Sequence, residues 1–228
     1  MARELGRTVS LSSLRRLVRR LGYGWKRLRR SLKARRDAVL FPFFQQELVL
    51  LHQAEARGEL AVVYADECRF SRQAPVPYAW QRRGQPPVAV PAERGAGGYS
   101  VLGLWQAMAP DQPLVSYVLN GALTAELFAA VLDEFSRHLD RPTVLVLDNA
   151  SVHRAACVQA RQAEWAARGL RLQFLPAYCP ELNKIEILWH RCKHYWLTPA
   201  DYESEQSLLE RLTYLLPLVG KEYTVTFA

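Results

Sequence analysis

Apolar residues along this chain recur with two different periods, and the change of period divides it. Residues 143–147 (Thr143-Val144-Leu145-Val146-Leu147) are an unbroken apolar run, the pattern of a strand buried on both faces. Residues 60–66 and 171–175 read the same way. Two further strands are expected at 99–105, after Gly97-Gly98, and at 114–119, after Pro113. Tyr78-Ala79-Trp80 and Val88-Ala89-Val90 are candidate hairpin strands in the turn-rich segment 69–91. From Thr124 the period becomes 3.6, with Leu127, Phe128, Val131, Leu132, Phe135 and Leu139 on one helix face. Further helices are expected from Ser151, in N-cap position, to Gly169, from about Asn183 to Leu197, and over 201–217; residues 222–228 read as a β-prone or frayed tail. Upstream, Phe44, Leu48, Leu51 and Ala54 line a helix that starts near Pro42 and is stopped by Gly58. A strand meander joined to alternating helices and strands implies an α/β fold: a mixed sheet with helices on its faces.

Before all this lies a basic arm. Ser10 to Ser13 offer caps for a helix with Leu14, Leu17, Val18 and Leu21 on one face, Arg15, Arg16, Arg19 and Arg20 on the other, and Gly22 as its stop. A second basic stretch carries Lys26, Arg27, Arg29 and Arg30. Residues 1–37 hold thirteen Lys and Arg against Glu4 and Asp37, a net of +11, whereas the rest of the chain carries −3. So lopsided a charge is the expected footprint for nucleic-acid phosphates. A Ser-capped, Arg-faced helix suits the second half of a helix-turn-helix, yet only Met1 to Val9 precede it. An incomplete module, from a longer chain, is therefore expected.

The bulk numbers exclude other classes. Half of the 228 residues are hydrophobic, enough for a substantial core, but no apolar run approaches the ~20 residues that span a bilayer. There is no apolar stretch with a cleavage site of the secretory type, and Cys68, Cys157, Cys179 and Cys192 form no CxxC pair. Reduced thiols in a cytoplasmic protein follow.

Chemistry concentrates where the predicted strands stop. The run 143–147 ends on Asp148-Asn149, the strand 60–66 runs into Asp66-Glu67, and Glu181 and Glu186 open a helix. Carboxylates at the ends of core elements are the frame of a two-metal phosphoryl-transfer site. Strand alternation sends Asp66 and Glu67 to opposite faces, so one of them serves, and Asp66 is preferred. Asn149, His153 and His190 are candidates for orienting the carboxylates or touching DNA; His190 lies one turn beyond Glu186. Asp148 and Ser151 could also simply cap a helix. The cluster His190-Arg191-Cys192-Lys193-His194 matches no common zinc spacing.

Four stretches carry a resemblance: Tyr64-Ala65-Asp66-Glu67; Tyr78-Ala79-Trp80 with Arg83-Gly84-Gln85; Leu147-Asp148-Asn149-Ala150-Ser151-Val152-His153; and Leu175-Pro176-Ala177-Tyr178-Cys179-Pro180-Glu181-Leu182-Asn183-Lys184-Ile185-Glu186-Ile187-Leu188-Trp189. In this order they resemble the DDE transposases of the mariner superfamily, in particular the branch found in bacterial insertion sequences. The likeness covers residues 60–197, and 9–36 resembles that family's second DNA-binding subdomain. It implies an RNase H-like catalytic domain at 60–200, after a basic DNA-binding arm (1–36) and a linker helix (37–59), with a C-terminal helix and tail (201–228). The implied triad is Asp66, Asp148 and Glu186, holding two Mg²⁺ ions for which Mn²⁺ would substitute. Asp148 or Asp66 would bridge the ions while Glu186 holds one. The implied partners are double-stranded DNA, as element ends and target, and a second copy of the chain, in the cytoplasm at the nucleoid. The implied reaction is metal-dependent DNA cleavage and strand transfer. The residues alone support hydrolysis, and a non-catalytic DNA-binding remnant stays open. Two departures stand out: Lys184 where that family usually has Pro, bringing a cation beside the metal site, and a rather long interval of 37 residues between Asp148 and Glu186.

Overall fold

The structure, a computed structural model, describes residues 10–23, 35–73 and 97–227. The candidate hairpin strands and Lys26, Arg27, Arg29 and Arg30 lie outside these residues. The chain divides into two compact units, 1–34 and 35–228.

In the first unit, α1 (Leu11–Arg20) starts where expected: the Ser10 hydroxyl accepts from the Ser13 backbone N–H at 3.1 Å. Gly22, at φ 84°, takes up the left-handed conformation just beyond the helix end. Arg15, Arg16, Arg19 and Arg20 are all exposed.

The second unit is built on five strands in the order β3-β2-β1-β4-β5. They are β1 (Ala61–Ser71), β2 (Gly98–Trp105), β3 (Leu114–Leu119), β4 (Thr143–Leu147) and β5 (Leu170–Phe174). β1, β2 and β3 pair antiparallel, whereas β1, β4 and β5 run parallel. The central strands are buried on both faces, as their apolar runs require. One face takes Tyr64, Cys68, Phe70, Val144 and Val146, packed with α2 (Leu40–Ala56), α5 (Ile185–Arg191) and α6 (Glu205–Leu215). The other takes Val63, Ala65, Leu145 and Leu147, packed with α3 (Ala125–Arg137) and α4 (Ala156–Ala167). The mixed α/β sheet expected from the pattern is the one observed.

Four expectations need correction. The helix beginning at Ser151 is instead a 3₁₀ turn, Val152–Arg154, then α4; Ala155, extended at ψ 152°, separates them, and Ser151 makes no side-chain cap. The segment from Asn183 to Leu197 is divided into α5 and a π-helical turn, Cys192–Trp196. Residues 201–217 likewise break into a 3₁₀ turn (Pro199–Tyr202), α6 and a second 3₁₀ turn (Leu216–Leu218). The C-terminal tail is not frayed. Gln112 clasps Val225, donating to its carbonyl at 2.8 Å and accepting from its N–H at 2.9 Å, and Phe227 lies 5.9 Å from the Trp105 ring.

The fit between sheet and α5 depends on one missing side chain. A Cβ at Gly103 would stand 2.7 Å from the Trp189 ring and 3.1 Å from Ile185. Both neighbours are core residues with no room to withdraw. Gly103→Ala should therefore cost about 1–3 kcal/mol of stability, read from urea denaturation. It should also loosen divalent-cation binding, because α5 carries Glu186.

Candidate active site

Parallel pairing of β1 with β4 does most of the positioning. Ala61 faces Thr143 and Tyr64 faces Val146, so the same register carried two residues further sets Asp66 level with Asp148. Adjacent strands lie about 4.8 Å apart, which makes the two carboxylates neighbours. Glu186 arrives from above the sheet, in the first turn of α5. All three line one cleft of about 390 Å³, together with Asn149, Ala150, Asn183 and the segment 175–180. Glu67 points to the opposite face, as alternation requires, and accepts from the Leu123 N–H at 3.3 Å.

The three acids sit in different electrostatic surroundings. Burial first, then the charges of Glu186 and Asp148, push Asp66 up to about 7, against the pull of the Glu67 N–H on its carboxylate at 2.8 Å. Glu186 is raised too, mainly by burial, with Lys193 working the other way. Asp148 is lowered: buried His153 donates from Nδ1 to its carboxylate at 2.8 Å, and the Ala150 N–H adds a second bond at 2.9 Å. His153 is itself fixed by Phe128, ring centroids 4.6 Å apart.

Two amides and an arginine complete the walls. Asn149 donates to the Leu175 carbonyl, joining the ends of β4 and β5. Asn183, 4% exposed, donates to the Ala65 carbonyl at 3.2 Å, while its Oδ1 has no partner among the described residues. Arg36 holds the far wall, bonding the Tyr178 carbonyl at 3.1 Å and pairing with Glu181.

The segment holding these groups matches a known family: residues 61–209 fit the family described as DDE superfamily endonuclease. The chain belongs to the DDE endonuclease superfamily. That is the membership its four motifs led one to expect. Among curated proteins none matches. Solved structures similar to this DDE chain include the Mos1 strand transfer complex (17% identity, TM-score 0.61, covering 94% of this chain and 64% of that one). The Mos1 mariner paired-end complex with Mn is similar at 16% identity and TM-score 0.64, over 94% of this chain and 65% of that one. The Mos1 catalytic domain matches at 12% identity and TM-score 0.52, covering 79% and 82%. At these identities the shared property is the fold, the RNase H-like mixed sheet. The chain spans slightly under two thirds of the length of the Mos1 chains in the two complexes.

A metal is implied by the family, and the donor set fits one. Three carboxylates face one cleft, all hard oxygen donors of the kind Mg²⁺ and Mn²⁺ take, and their mutual repulsion is what a cation would relieve. Among the described residues no group of three or more His, Cys, Asp or Glu is already gathered as a metal-holding cluster, so Asp66, Asp148 and Glu186 would have to draw together to hold an ion.

Not every expected residue joins the site. His190 is exposed, its ring stacked on His194 at 4.4 Å, and among the described residues no hydrogen bond joins it to Glu186. Lys184 turns its ammonium over the Phe227 ring at 4.7 Å, and it adds no cation beside the acids. Lys193, in the π-helical turn that follows α5, does act on Glu186, an approach that helical spacing alone does not mark. Asn183 was passed over as part of a motif, and its unpaired oxygen shows only in the fold.

Two outcomes follow. Because the Asp66 carboxyl is raised, its neutral form contributes stability that is complete below its unfolded value near 4 and is lost as pH rises through about 7. Asp66→Asn should abolish that loss: at pH 8, without metal, it should melt at least ~2–4 °C above wild type, and added Mn²⁺ should stabilise wild type alone. His153→Ala should weaken Mn²⁺ binding by about 10–100-fold, measured by calorimetric titration, with the fold retained in circular dichroism.

Proposed function

We propose that this chain is the catalytic part of a mariner-type transposase, cutting double-stranded DNA at element ends and joining a freed 3′-hydroxyl to target DNA. The observation that carries the reading is the charge-strained trio Asp66, Asp148 and Glu186 in one open cleft of a DDE endonuclease. Asp66, Asp148 and Glu186 would hold the divalent cations, Mg²⁺ or Mn²⁺. When bound, the cations supply Lewis acidity, activating the attacking oxygen and stabilising the leaving one.

The chain's own residues do the rest. Asp66, its carboxyl pushed up to about 7, would have to be ionised to hold a cation, so binding should strengthen with rising pH. Asp148, kept ionised by His153 and the Ala150 N–H, is presented in a fixed orientation. Asn149 braces the cleft against Leu175 just beyond β5, and Asn183 against the Ala65 carbonyl within β1. The arm, with Arg15, Arg16, Arg19, Arg20 and beyond them Lys26, Arg27, Arg29 and Arg30, would bind the DNA backbone through 1–36. His190, exposed, remains available for a DNA contact. A reaction that joins two DNA ends to one target calls for two active sites, hence a homodimer.

Strand nicking and joining on supercoiled DNA with Mg²⁺ or Mn²⁺ tests the proposal. Wild type should cut and join, and Asp148→Asn should bind DNA equally and do neither. Cutting without joining would identify a nuclease that only hydrolyses. Binding without cutting in both proteins would leave a non-catalytic DNA-binding chain and overturn the proposal.

A further inference from the structure

We propose that Arg154 is a preset clamp for a DNA backbone phosphate at the rim of the carboxylate cleft. The inference rests on the DNA-processing reading above, and it adds a residue that none of the motifs marks.

Arg154 closes the 3₁₀ turn that begins four residues after Asp148. Its Nε donates to the Asn149 Oδ1 at 2.5 Å, and its guanidinium carbon stands 4.5 Å from the centre of the Phe174 ring. Asn149 lines the cleft and is itself tied to the Leu175 carbonyl. The side chain is therefore fixed from two sides although it is exposed. Both restraints are neutral, an amide oxygen and a ring. Other arginines differ: Arg141 pairs with Asp140, Arg161 with Asp133 and Arg168 with Glu164. Among the described residues no ion pair involves Arg154, so its full charge stands beside an acidic cleft.

A guanidinium anchored through Nε keeps its two Nη groups for a ligand. Their planar fork matches two oxygens of one anion, the geometry of a phosphodiester's non-bridging pair. The rotamer entropy that an arginine ordinarily loses on binding has already been lost here, to Asn149 and Phe174. The place is also where a cation is needed. DNA entering the cleft brings phosphates towards three carboxylates, and a fixed positive group at the rim offsets that repulsion for the phosphate next to the one being attacked.

The test is DNA binding across a salt series by fluorescence anisotropy, with a duplex oligonucleotide, comparing wild type, Arg154→Ala and Arg154→Lys. Arg154→Ala should weaken binding about tenfold at low salt and reduce the slope of log K against log salt by about 0.9. Arg154→Lys keeps the charge but loses the fork, the Asn149 bond and the flat stacking, so it should fall close to the alanine variant in affinity. Circular dichroism should show the fold retained in both, so that the loss reads as the lost phosphate contact. An alanine variant with unchanged affinity and slope would overturn the clamp, as would a lysine variant indistinguishable from wild type. A wild type that binds no duplex at all would instead overturn the DNA-processing reading beneath it.

Discussion

Like charges held close together in a part-buried place are the constraint around which this protein is arranged. Side-by-side pairing of β1 and β4 makes Asp66 and Asp148 neighbours, and α5 lowers Glu186 over them. Left alone, such a group resists ionisation, and the resistance falls unequally. Asp66, the most enclosed of the three, takes most of it, whereas Asp148 is spared by the buried His153. The apolar packing on both faces of the sheet is what keeps the arrangement from relaxing. Val63 and Ala65 are locked against α3 and α4, while Tyr64 and Phe70 are locked against the α5 side. Stability is thus spent locally where the charges meet and regained in the layers around them.

Much of this was legible before folding, because it depends on local rules. β3 and β4 fall on the very residues their apolar runs marked, and the choice of Asp66 over Glu67 followed from strand alternation alone. Where local rules failed, a side chain had competed with the backbone. Asp148 takes the Ala150 N–H for its own carboxylate, and the chain cannot begin a helix at Ser151 as the capping pattern suggested. The π-helical turn after Arg191 has no period of its own to reveal it, and neither α5 nor the turn is long enough to stand out from a continuous helix.

The remaining surprises are tertiary. His190 shares the exposed face of α5 with Glu186, but its ring stacks on His194 rather than on the carboxylate. Arg154 follows the His153 of the motif as one more basic residue. Only the meeting of β4 and β5, which brings Asn149 and Phe174 to either side of it, gives it a fixed direction. Lys184, read as an added charge at the site, is drawn away by an aromatic ring 43 positions later in the chain.

That last contact bears on the order in which the molecule is assembled as it is made. Synthesis delivers the strands with Asp66 and Asp148 well before the residues that finish the neighbourhood of α5. Phe227 seats both the Trp105 ring and the Lys184 ammonium, and Gln112 waits for Val225. The helix bearing the third carboxylate therefore gains its final supports only once residue 227 has left the ribosome. A partly made chain holds two acids in register before the surroundings of the third are complete, so the pair and the full trio are separate stages of folding.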